Sequence, residues 1–101
     1  MKDTLFLLRP GFEDPAYPGQ VFYCWHCALM EGVLASFPDL HEKLTVHRIA
    51  WPRPRMELVN LLGEAHQSLP VLVLAEGGFI DDKDAILAAL TERHGFPHPH
   101  P

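Results

Sequence analysis

The chain has 101 residues, 48% hydrophobic and 21% charged, a composition that suits one globular domain with a single core. Thirteen acids against eight Lys and Arg give a formal net charge of −5. The basic residues cluster only at Arg48, Arg53 and Arg55, which argues against a nucleic-acid partner, whose phosphates demand massed cations. No apolar run approaches the roughly 20 residues that span a bilayer, and the N-terminus lacks the roughly 7–15-residue apolar core of a secretory signal. The expectation is a cytoplasmic protein with no membrane segment.

Leu5 to Leu8 are apolar on both faces, as in a buried strand, and Pro10-Gly11 stops them. From Arg9 to Tyr23 the chain is rich in turn residues but carries Phe12, Tyr17, Phe22 and Tyr23. A loop of about 15 residues is uncommon in a compact domain, and these aromatics predict that it packs. Beyond Cys24 the period changes: Met30, Val33, Leu34 and Phe37 mark one face of a helix that Pro38 ends. Leu44 to Ile49 reads as a second strand. Pro54 opens a second helix, with Leu58, Leu61, Leu62 and Ala65 on one face.

Val71 to Leu74 form a third strand, and Gly77-Gly78 turn the chain into a short fourth at Phe79-Ile80. Asp81 or Asp82 caps a last helix bearing Ala85, Ile86, Ala89 and Leu90, and Gly95 stops it. The order is βαβα followed by ββα. A βαβ crossover gives two parallel strands, and the later hairpin adds antiparallel ones. Residues 1–95 therefore read as one domain with an inserted loop at 9–23, followed by a Pro/His tail at 96–101.

Cys24 and Cys27 are the only two cysteines. At a helix start this spacing suits either a reversible local disulfide or half of a metal site. Zinc wants four ligands and no second pair is present, so a metal or iron–sulfur cluster would need two copies sharing their CxxC pairs. The reading of the residues calls for no metal and no bound cofactor. Two reduced cysteines packed in a core, in a domain that only binds a partner, form the third alternative.

With a CxxC where the first strand hands over to the first helix, the order resembles the thioredoxin-like superfamily. Leu69-Pro70-Val71-Leu72-Val73, Gly77-Gly78-Phe79-Ile80, Asp82 and Ala85-Ile86-Leu87 are similar to the end of a glutathione-transferase N-terminal domain and to glutaredoxins. The resemblance covers residues 5–8 and 24–95. It implies a four-stranded mixed sheet in order 2-1-3-4, flanked by three helices. It implies a cis-proline at Pro70 facing the dithiol, with the backbone of Leu69 pairing with a bound thiol peptide. It also implies that Asp82 holds the γ-glutamyl amine of glutathione, and that Arg53 or Arg55 sits near a peptide carboxylate. The chain departs from the pattern at Lys83, where transferases have Ser, and at Leu5 to Leu8, which lack the acid that thioredoxins place before the motif.

The chemistry so implied is thiol–disulfide exchange. Cys24 would lie exposed at the helix N-terminus, whose partial positive charge favours a thiolate, and Cys27 would resolve the mixed disulfide from one turn inside. A charged His26 would add a second positive group; a histidine just before the second cysteine is similar to the strongly oxidising DsbA group. An exposed imidazole without that role is the other reading of His26. Tyr23 and Trp25 would offer an apolar apron to a partner or else pack under the loop, and Asp82 would serve equally as a plain N-cap. The implied partner is a protein or glutathione-linked thiol or disulfide, with glutathione as a candidate co-substrate; the sequence leaves the oligomeric state open.

Overall fold

A computed structural model describes residues 2–101. The elements are β1 (Thr4–Leu8), α1 (Trp25–Ser36), α2 (Pro38–His41), β2 (Thr45–Ile49), α3 (Met56–Leu62), β3 (Val71–Val73), β4 (Phe79–Ile80) and α4 (Lys83–His94). They form an α/β fold around one mixed four-stranded sheet in the order β2-β1-β3-β4. Strand β1 is the hinge of the topology. It pairs parallel with β2 (Leu5 opposite Val46) and antiparallel with β3 (Leu5 opposite Leu72), and β3 pairs antiparallel with β4.

The all-apolar β1 has both faces covered, and side chains alternate across a strand. Leu5 and Leu7 join Met30 and Leu34 of α1 and Ile86 and Leu90 of α4 in one core. Phe6 points the other way and meets Leu58 of α3 together with Ile49 and Val71. Two helices thus cover one face of the sheet and one covers the other. No helix among the described residues is long and apolar enough to cross a membrane.

The expected order of strands and the 2-1-3-4 sheet are present. The helix count is four rather than three, because Pro38 does more than end α1. It opens the one-turn α2, a position where its missing N–H would be unbonded anyway. Helix α3 is shorter than its apolar spacing suggests. It starts at Met56, since Arg55 is held outside helical geometry (φ −91°, ψ 87°) while its main-chain N–H donates to the Gln67 side chain at 2.7 Å. It stops before Ala65 because Gly63 takes φ 91°, a conformation that side chains with a Cβ rarely adopt. Strand β3 ends at Val73, and Leu74 instead enters the turn, its N–H donating to Gly78 at 3.0 Å.

Both ends of the chain are tied down. Asp3 is buried, and its carboxylate accepts two hydrogen bonds from Arg93 (2.7 and 2.9 Å), pairs with His94 Nε2 at 2.8 Å and accepts the N–H of Ala75 at 2.8 Å. These contacts hold its pKa well below the usual carboxylate range, the Arg93 bonds contributing most. The Pro/His tail begins one residue later than expected. Phe96 is 2% exposed within the core, its ring edge-on to Phe37 at 6.2 Å. Apolar packing thus extends past the Gly95 stop.

The long loop is pinned at its neck. Phe12 and Phe22 form an antiparallel bridge, and Phe12 stacks on Trp51 at 5.6 Å with ring planes 7° apart. The neck packs as its aromatics suggest, while Tyr17 and Val21, between the bridged residues, stay exposed.

Candidate functional site

The site forms where β1 ends, α1 begins and β3 is about to start. Cys24 is the N-cap of α1, with an extended backbone (φ −79°, ψ 116°). Its Sγ accepts the main-chain N–H of Cys27 at 3.3 Å, a role usually filled by the side-chain oxygen of Ser, Thr, Asp or Asn. A sulfur capping a helix faces its unpaired N–H groups and partial positive charge. On its other side the Cys24 thiol donates toward the Leu69 carbonyl at 4.0 Å. The Leu69–Pro70 peptide bond is cis, and Pro70 is buried. The expected juxtaposition of this segment with Cys24 is present.

Cys27 lies one turn further along α1 and is 2% exposed. Its Sγ accepts the main-chain N–H of Leu8, at the end of β1, at 3.3 Å. Burial pushes the Cys27 thiol up to about 12, and the hydrogen bond with Cys24 adds to the effect while the Leu8 N–H opposes it. Both cysteines are free. The two thiols are therefore unlike: one is accessible and caps a helix, the other is sealed and protonated at neutral pH.

Both line a largely apolar cavity of about 440 Å³ whose further walls include Leu8, Pro10, Tyr23 and Glu31. Pro10 and Tyr23 belong to the long loop, which thus forms one wall of the approach to the dithiol. Glu31 follows Cys27 by one helical turn and forms a two-pronged ion pair with Arg48 (2.7 and 2.8 Å). That bond lowers the Glu31 pKa. Glu31 is not among the residues that the resemblance implies, although its spacing of four from Cys27 places both on one helix face.

The remaining expected residues divide into those brought to the dithiol and those left apart from it. Tyr23 and Trp25, which flank Cys24, are 65% and 64% exposed, so neither packs under the loop. His26 is half-buried and packs its ring on Trp25, with centroids 3.8 Å apart. Neither cysteine's hydrogen bonds involve it. Asp82 caps α4, its Oδ2 accepting the Ala85 N–H at 2.9 Å. The same helix start lies near Trp25, because Lys83 Nζ sits 5.6 Å from the centre of its ring.

Arg53 is exposed and no hydrogen bond joins it to the site, while Arg55 is buried and turned inward. Of the two arginines, then, only Arg53 is displayed to solvent, and Arg55 is withheld from any external carboxylate.

No curated protein and no solved structure matches this chain. A family described as "Protein of unknown function (DUF3088)" matches residues 2–98. With nearly the whole chain matched, from ahead of β1 to beyond α4, the chain belongs to that family.

Proposed function

We propose that the protein is a thiol–disulfide oxidoreductase of thioredoxin-like type that works through Cys24 and Cys27. The observation that carries this reading is the asymmetry of the pair. Cys24 sits at a helix N-terminus between the Cys27 N–H and the Leu69 carbonyl, while Cys27 is buried one turn in with its proton held. A nucleophile must be accessible and ionisable; a resolving thiol is best kept neutral until the mixed disulfide forms.

In the reaction, the Cys24 thiolate attacks one sulfur of a substrate disulfide. A Cys24–substrate disulfide forms as the substrate S–S bond breaks, and the first substrate thiolate leaves. Cys27 then gives up its proton to solvent and attacks the Cys24 sulfur. The Cys24–Cys27 disulfide forms and the second substrate thiolate departs, so the dithiol has lost two electrons and the substrate has gained them. Tyr23 and Trp25 offer the substrate an apolar landing beside Cys24, and the Leu69 backbone supplies a polar edge. The partner is a protein or glutathione-linked disulfide met in the cytoplasm, with Asp82 and Arg53 as the charged groups on offer to glutathione.

The test is a redox titration in graded glutathione buffers, with free thiols trapped and the products weighed by mass spectrometry. A reversible two-electron transition between roughly −120 and −270 mV is the expected outcome. If no disulfide forms at any potential, exchange chemistry is ruled out, and the cysteines are left to metal binding or to packing in a binding module.

A further inference from the structure

The cavity beside the dithiol has apolar walls at Leu8, Pro10, Tyr23 and Ala28, and both cysteines line it. Leu69, Pro70, Trp25 and Asp82 do not. The cavity and the Leu69 carbonyl, which the Cys24 thiol faces at 4.0 Å, are therefore two separate approaches to one sulfur. A disulfide has two halves, and each approach can take one.

The loop side of the cavity is fixed in place. At the loop's neck Phe12 and Phe22 bridge, the Gly11 N–H donates to the Phe22 carbonyl at 2.9 Å, and Phe12 stacks on Trp51. Pro10, Tyr23 and Ala28 are exposed, so the cavity can be reached from solvent. Its volume of about 440 Å³ falls in the range of small-molecule pockets, roughly 300–1,000 Å³. It also exceeds the roughly 150 Å³ that suffices for a benzene ring in an apolar core.

Charge narrows what can enter. No Lys, Arg or His among the described residues lines the cavity, and its acid, Glu31, is already held twice by Arg48. The carboxylates of glutathione would meet no cation there and would lose hydration without replacement. An uncharged apolar group has no such cost and gains by leaving water.

We propose that this cavity is the subsite for one half of the substrate disulfide, and that this half is a small thiol carrying an aromatic or branched aliphatic group. The inference rests on the dithiol reading above and names its substrate class. Glutathione, where it takes part, is the other half, on the Leu69 side. The Cys24 thiolate attacks the sulfur bearing the apolar group, and the other half leaves as a thiolate when the substrate S–S bond breaks. Cys27 then loses its proton to solvent and attacks the Cys24 sulfur, and the apolar thiolate leaves. The dithiol loses two electrons, and the two substrate thiols gain them.

The test compares Cys24 alkylation by N-benzyl-iodoacetamide and by iodoacetamide, each rate divided by that of the same reagent with 2-mercaptoethanol. No disulfide forms in this reaction, so it reads the cavity apart from the exchange chemistry. The wild type is expected to favour the benzyl reagent by about tenfold, as burial of a ring-sized apolar group implies. Ala28→Leu fills the cavity from an exposed position on α1 and is expected to bring that ratio within about twofold of one. Tyr23→Ala removes a wall and is expected to lower it about threefold. Exchange with the mixed disulfide of glutathione and benzyl thiol, normalised in the same way, is expected to outrun that with glutathione disulfide by about tenfold.

A wild-type alkylation ratio near one would overturn the proposal. So would a ratio that neither folded variant lowers, since the benzyl group would then lodge elsewhere, or equal exchange with the two disulfides. Near-ultraviolet circular dichroism checks each variant, and should A28L fail to fold, Y23A decides by the same criterion. If neither disulfide exchanges while the alkylation ratio holds, the oxidoreductase reading falls and the apolar subsite beside Cys24 stands.

Discussion

The two buried charged residues among those described are handled in opposite ways. At the end of the sheet nearer the termini, Asp3 is enclosed by Arg93, His94 and the Ala75 N–H. Charge meets charge there and every lone pair is used. Beside the dithiol, Arg55 meets only carbonyls, and Cys27 is buried as a neutral thiol. A closed ion cluster joins strands and helix and has little left over for chemistry. An open one leaves a cation without an acid and a thiol whose proton is hard to remove, which are properties that a reaction uses. Under the proposed oxidoreductase reading, the first region serves structure and the second serves reactivity.

The sharpest way to break this division is Cys24→Ser. All dithiol exchange is expected to vanish, with no Cys24–Cys27 disulfide under any buffer. Because Ser is itself a good N-cap, the urea midpoint is expected to stay within the range of about 0.5 kcal/mol found for benign substitutions. A large loss of stability would show that the capping sulfur is chiefly structural.

Asp3→Asn should do the reverse. Leaving Arg93 without its buried partner is expected to cost about 3 kcal/mol in chemical denaturation, with Cys24 alkylation unchanged. A cost under about 1 kcal/mol would class the cluster with ordinary surface pairs.

The pH dependence separates the same two regions by sign. The Asp3 carboxyl binds its proton less readily in the folded protein than in the unfolded chain, where it titrates near the ordinary 3.8. Its stabilisation is complete above that pH and is lost as the pH falls below it. Cys27 behaves oppositely. Its thiol is held up to about 12 when folded, against about 9 when free, so the unfolded chain releases a proton first and stability falls as pH rises past about 9. In thermal unfolding from pH 2 to 11, D3N is expected to flatten the acid limb and Cys27→Ala the alkaline limb. An acid limb unchanged in D3N, or an alkaline limb unchanged in C27A, would refute the corresponding assignment.

The smallest expected effect is that of Glu31→Gln. Its pair with Arg48 is partly exposed, and such pairs contribute about 1 kcal/mol or less. A denaturation midpoint shifted by more than about 2 kcal/mol would place Glu31 among the structural ion clusters beside Asp3.

Much of the architecture was legible because short-range rules governed it. The all-apolar Leu5 to Leu8 could only be a strand buried on both faces, and the i, i+3, i+4 spacing of Met30, Val33 and Leu34 could only face a core. Asp82 and Gly95 bracket α4 as cap and stop. The limits of α3 were less legible. Apolar spacing runs on to Ala65, but Gly63 and a hydrogen bond from Arg55 to the side chain of Gln67, twelve positions away, set the actual ends. Phe96 looked like the start of a tail because its partner, Phe37, lies 59 positions earlier in the chain.

The candidate site divides along the same line. The family resemblance marked Leu69-Pro70, while residue type and spacing alone singled out Cys24 and Cys27 and placed one at the helix start and the other a turn inside. These are properties of neighbours in the chain, where helix geometry fixes who meets whom. Only the tertiary structure decided that His26 turns to Trp25, that the long loop walls the cavity, and that Arg55 is buried without an acid while Arg53 is not. Burial and charge compensation depend on groups brought together from distant segments, and no local pattern records them.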